Sequence, residues 1–175
     1  MSSALDDLQN ELGAMLAGLD ENTMQRHPGE RREAWNIQQI ATHLLYTYDA
    51  TLSVFEGRLL KGRCTKATPT LQQRLGQIII TRFGYFPGGR KSPDFACPPE
   101  KMEPENGYQA FARITARLQA LKTIFIEAEN AWGQGRCVSH FVLGPMSVDD
   151  WQRFHRVHGH HHARQMAAIR TELGL

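Results

Sequence analysis

Five of the chain's eight histidines fall in one internal run, Trp151-Gln-Arg-Phe-His-Arg-Val-His-Gly-His-His-His-Ala-Arg-Gln-Met166. A helix turns about 100° per residue, so His155, His158, His162 and Gln165 share one arc of roughly 80°. Val148, Trp151, Met166, Ile169 and Leu173 lie on the same face, which is therefore the one expected to turn inward. An imidazole buried there without a partner costs about 1–3 kcal/mol. A metal ion would supply the partner.

His158 and His162 stand at i and i+4, a spacing that aims two imidazole nitrogens at one point and suits a divalent transition metal at about 2.0–2.1 Å. A third ligand must come from another helix. His43, in the largely apolar run Trp35-Asn-Ile-Gln-Gln-Ile-Ala-Thr-His43-Leu-Leu, is the best candidate. Alone it would read as a core histidine bonded to a carbonyl; beside an inward HxxxH it reads as a ligand. Three histidines leave a coordination position open, the arrangement of a catalytic rather than a structural site.

The neighbouring residues are less determined. His155, one turn before the pair, could be a fourth ligand, a proton shuttle or a buried ring, and is left out of the ligand set. Gln165 could hold a ligand histidine or a bound water. His160 and His161 turn away from the arc and read as solvated or side contacts. His27 and His140 read as surface residues of loops. Arg82, Arg90 and Lys91 could receive an anionic substrate or simply be solvated. No general base is selected: Asp49 and Glu56 have no distinguishing spacing.

Positioning these residues requires helices. Four long segments have helical periodicity and none alternates like a strand. Ser3 can cap a first helix with Leu5, Leu8, Leu12, Leu16 and Leu19 as its stripe. After a polar link through His27-Pro28, a second runs from near Asn36 to about Lys61 with Ile37, Ile40, Leu44, Tyr48 and Phe55 at core spacing. Leu71 to Arg82 predicts a shorter helix packing through Leu75, Ile78 and Ile79. Residues 83–104 carry turn chemistry and predict a long loop, either a lid or a surface excursion pinned by Tyr85 and Phe86. The third long helix repeats Phe111, Ile114, Leu118, Leu121, Phe125 and Trp132 and ends at Gly133–Gly135. A second loop from Ser139 to Met146 leads to Ser147, which can cap the last helix. The expected fold is an all-α four-helix bundle, with a short extra helix and a long loop between its second and third members.

At 175 residues and 41% hydrophobic content, the chain predicts one domain over 1–175 with a substantial core. Its net charge is +2, with 20 basic and 18 acidic residues interspersed, and implies neither a nucleic-acid footprint nor a membrane patch. A small-molecule substrate is expected. Without an apolar run of membrane length or an export signal, and with three widely spaced cysteines, Cys64, Cys97 and Cys137, a cytoplasmic protein with reduced thiols is expected.

The segments Trp35-Asn-Ile-Gln-Gln-Ile-Ala-Thr-His43-Leu and His158-Gly-His-His-His162-Ala-Arg-Gln165 resemble the motif of the DinB-like superfamily of metal-binding four-helix bundles. Phe141-Val-Leu-Gly-Pro-Met-Ser-Val-Asp-Asp-Trp-Gln-Arg-Phe-His155 resembles the stretch before the last helix in a largely uncharacterised branch of it, a domain of unknown function. The likeness extends over essentially the whole chain. It implies an up-down-down-up bundle, a nickel, zinc or other divalent ion on three histidines, and often a homodimer. It also implies a choice of chemistries, because some relatives look like hydrolases, isomerases or transferases that use a low-molecular-weight thiol. The extra histidines depart from the motif; His158 with His162 is the expected pair, ahead of a pairing that uses His155.

Overall fold

A computed structural model of the protein describes residues 4–29, 34–86 and 92–175. The Ser3 cap, Arg90 and Lys91 lie outside these residues. Four long helices form the body: α1 (Ala4–Leu16), α3 (Ile37–Leu60), α5 (Gly107–Trp132) and α6 (Val148–Leu173), with short helices α2 (Glu21–Gln25) and α4 (Leu71–Gln77) between them. Local chemistry sets their starts. Asn36, Asn106 and Ser147 each accept from the backbone N–H three residues on, and Gln39, Gln109 and Asp150 return the bond. These reciprocal bonds satisfy N–H groups that a helix start leaves unpaired. Gly133 at φ 65° ends α5.

Side-chain pairings fix the topology. Glu11 meets His160, and Met15 and Ala17 accept from Arg170, so α1 and α6 run parallel. Asp6 meets Lys122 while Gly13 lies under Phe111, so α1 and α5 run antiparallel. Asp49 pairs with Arg117 and Phe55 with Phe125, making α3 and α5 parallel. Thr51 meets His155 and Phe55 meets Trp151, making α3 and α6 antiparallel. The result is an up-down-down-up bundle. Leu5, Leu8, Leu12, Leu16, Ile40, Leu44, Tyr48, Phe55, Ile114, Leu118, Leu121, Phe125 and Met166 fill it.

Two glycines let backbones approach. A Cβ on Gly107 would lie 1.9 Å from the Leu16 carbonyl oxygen, and the Gly107 N–H donates to the Leu19 carbonyl at 2.9 Å. A Cβ on Gly159 would come within 2.4 Å of the buried Leu8 side chain, so Gly159 brings α6 close to α1.

The intervening segments differ from the periodicity reading. The helix from Leu71 exists, but its supposed core residues Leu75, Ile78 and Ile79 are exposed. It ends in one π-helical turn, Ile78–Arg82. Gln77, Ile80 and Thr81 are buried instead, and the Gln77 amide donates to the Leu143 and Pro145 carbonyls. The stretch expected to be a loop before α6 contains an antiparallel hairpin, β1 (Val138–His140) with β2 (Gly144–Met146). At three residues each, these strands are too short to display alternation. Among the described residues, no helix is long and apolar enough to cross a membrane.

Residues 94–106 lie along the N-terminal half of α3. Gln38 donates to the Glu103 carbonyl at 2.7 Å, Gln39 to that of Pro99 at 3.4 Å, and His43 to that of Ala96 at 2.7 Å. This explains why every residue from Ile37 to Leu45 is buried. The sequence had left the long loop as lid or excursion; this part of it is fastened to the helix that carries His43.

Candidate metal centre

The antiparallel packing of α3 on α6 brings His43, His158 and His162 together, all buried, with one ligand-capable atom of each within 4.8 Å of the others. His158 Nε2 lies 3.2 Å from His43 Nε2 and 3.0 Å from His162 Nε2. Two imidazole nitrogens on one ion at about 2.05 Å and a tetrahedral angle stand ~3.3 Å apart. Two of the three donor pairs are therefore already near the separation that a shared divalent ion requires, and the third, His43 with His162, lies within 4.8 Å.

The outer ring nitrogens fix the tautomers. His43 Nδ1 faces the Ala96 carbonyl at 2.7 Å, and His162 Nδ1 faces Gln165 Oε1 at 2.7 Å. Those oxygens only accept, so both Nδ1 atoms carry the proton and both Nε2 atoms turn a lone pair inward. His158 has one proton to offer if neutral. It can bridge at most one of its two short N···N contacts, and its own Nδ1 is buried without a partner among the described residues. At least one pair of lone pairs is left facing each other, an arrangement that a cation resolves.

A proton is a poor occupant. Burial holds His158 well below the usual histidine range and pushes His162 down to about 3, with His43 also lowered, chiefly by burial. Each ring would also repel a second charged one. Nitrogen donors kept neutral in a dry site suit a divalent transition ion and resist protonation.

The surroundings contain residues that spacing alone did not reveal. Trp35 lies against His43 with ring centres 5.0 Å apart, Phe154 stacks on His158 at 5.4 Å, and Phe86 touches His158 and His161 at 4.9 and 5.2 Å. Phe86 thus comes from the segment after the π turn to the cluster. His161, expected to be solvated or a side contact, is half-buried and is a side contact, its Nε2 lying 3.3 Å from Gln165 Nε2. Since the Gln165 oxygen accepts from His162, its NH2 group donates to His161, and the amide is held from both sides. Ser92 Oγ lies 3.4 Å from His43 Nδ1. A periodic charge or apolar pattern could not have found Phe86 or Ser92, whose contacts depend on how the chain around each is laid against the cluster.

Other expected residues stand apart. His155 is fully buried, but its Nε2 is 3.0 Å from Thr51 Oγ1, and it does not join the cluster. Thr51 gives its own proton to the Thr47 carbonyl, so His155 donates, leaving Nδ1 without a partner among the described residues. His160 is exposed and paired with Glu11. His140, expected at the surface, is a half-buried strand residue among Phe141, Trp151 and Phe154, and its Nδ1 accepts from the Val142 and Leu143 N–H groups. His27 donates to the Ala34 carbonyl. Asp49 is tied to Arg117, and Glu56 and Arg82 are exposed.

Fold and site together define a helical bundle with a three-histidine cluster built between an antiparallel pair of helices and capable of holding a metal ion. The sequence model of the DinB superfamily matches residues 4–166. The chain belongs to that superfamily. Searches of curated proteins and of solved structures gave no match.

Proposed function

We propose that the chain is a metal-dependent enzyme of the DinB type acting on a small molecule, as a hydrolase or a transferase that uses a low-molecular-weight thiol. His43, His158 and His162 would hold a divalent transition ion, nickel or zinc being the best suited to imidazole donors. When bound, such an ion supplies Lewis acidity that makes water or a small thiol nucleophilic near neutral pH. The observation that carries this reading is the set of converging Nε2 atoms, two with their tautomers fixed by bonds to Ala96 and Gln165.

The protein's own residues have separable tasks. Ala96 and Gln165 orient two of the rings and strengthen their donor character. Phe86, Phe154 and Trp35 line the cluster with apolar surface, which limits water and strengthens electrostatic interactions there. His155, occupied with Thr51, leaves three ligands among the described residues, which favours an open catalytic position over a closed structural one.

Metal per chain measured by mass spectrometry on untagged wild type, His43→Ala and His162→Ala decides the first part. Near one ion in the wild type and loss in both variants is expected. Retention by His43→Ala would mean the last helix binds metal by itself and would end the three-histidine reading. Metal-loaded protein then enters a hydrolysis and thiol-transfer screen. Stoichiometric metal without turnover would favour a non-catalytic metal- or ligand-binding bundle.

A further inference from the structure

Two cysteines remote in sequence meet at the end of the bundle away from the histidines. Cys64 follows the C-terminal end of α3, and Cys137 precedes β1. The Thr65 N–H donates to the Cys137 carbonyl at 3.0 Å, the Cys137 N–H donates to the Met146 carbonyl at 3.1 Å, and the Ser139 and Thr65 hydroxyls are 3.5 Å apart. The 64–65 segment therefore lies directly beside the residue that leads into the hairpin, joined to Cys137 through the backbone of Thr65. Cys64 packs on the apolar cluster that contains Cys137, close enough to the Cys137 thiol to add to the burial that raises it. Cys97, exposed, donates to the Ser92 carbonyl and is separate.

We propose that Cys64 and Cys137 form a reversible dithiol–disulfide site that reacts with low-molecular-weight disulfides. Cys64, half-buried, is the entry thiol. Its thiolate attacks one sulfur of the small disulfide; a protein–small-molecule S–S bond forms, and the departing thiolate takes up the proton lost by Cys64. Cys137 then attacks Cys64 Sγ, the mixed bond breaks, and the second small thiolate leaves with the proton of Cys137. Two protein thiols are oxidised while one small disulfide is reduced to two thiols. Burial raises the Cys137 thiol to about 11, so the second step is the slow one.

The bond would close a loop that contains α4, the π turn and the segment whose Ala96 carbonyl holds His43. Oxidation would thereby restrict the unfolded chain across more than a third of its length.

The test uses full-length protein with Cys97→Ser, exposed to oxidised glutathione, alkylated, and analysed by intact mass and peptide mapping. The expected product has lost two hydrogens, contains a Cys64–Cys137 linked peptide, and melts roughly 5–10 °C above the reduced form. Adding Cys137→Ala should arrest the reaction at a glutathione adduct on Cys64, and Cys64→Ser should leave Cys137 unmodified in the folded protein. An adduct on Cys64 that persists when Cys137 is present, or no reaction at Cys64, would overturn the proposal.

Discussion

A glutamine one turn past the HxxxH pair carries two jobs at once: it accepts from the His162 ring and donates to His161. Gln165→Ala should weaken metal binding about 10- to 100-fold while the helix persists, measured by competition with a chromophoric chelator. An unchanged affinity would show that His162 needs no support. A second residue-scale effect concerns acid. His155 is held near 3 and His140 near 4 by burial, against an ordinary value of 6.5. Both are neutral in the folded protein, and the unfolded chain binds more protons between those limits. Stability is therefore full above about pH 6.5 and falls as pH drops toward 4 and then 3. His155→Leu removes one such group and should flatten the slope by about 1.4 kcal/mol per pH unit near pH 5, read from urea unfolding at several pH values. A parallel slope would place the proton uptake elsewhere.

Among the elements, the long helices were legible because their stripes repeat over several turns and their ends carry caps at Asn36, Asn106 and Ser147. The pairing of His43 with the last helix was suggested by type and spacing, and the packing brings those rings to one point. What periodicity could not convey lies in α4 and the hairpin. The buried Gln77, Ile80 and Thr81 keep the i, i+3, i+4 spacing of a helix face, but so do the exposed Leu75, Ile78 and Ile79, and the apolar pattern pointed to the outer set. Gln77 is buried because two carbonyls of another segment receive its amide, information that no local pattern holds. Helix proximity gives its own prediction. Gly159→Ala forces a methyl group into Leu8 and should cost roughly 1–3 kcal/mol. Gly57→Ala, with open space at its Cβ in α3, should stabilise by roughly 0.5–1 kcal/mol. Thermal melting of the two variants side by side checks both signs; equal effects would remove the packing explanation for Gly159.

On the scale of the whole molecule, the apolar core reaches through all four long helices and most of it lies outside the histidine cluster. Chelation should therefore leave the far-UV helical signal intact while lowering the melting temperature, since an ion bound only to the folded state adds about 4 kcal/mol when free metal is 1,000 times its Kd. Loss of the helical signal on chelation would instead mark the ion as a structural requirement. The parallel contact of α1 with α6 carries a further consequence, one of time. The helix α1 finds its packing partners, α5 and α6, only after some ninety further residues have been made, and α3 likewise waits for α6 to complete the set of rings. Neither the apolar stripe of α1 nor His43 can settle early. Both wait on long-range contacts, and until these form the apolar stripe of α1 stays uncovered.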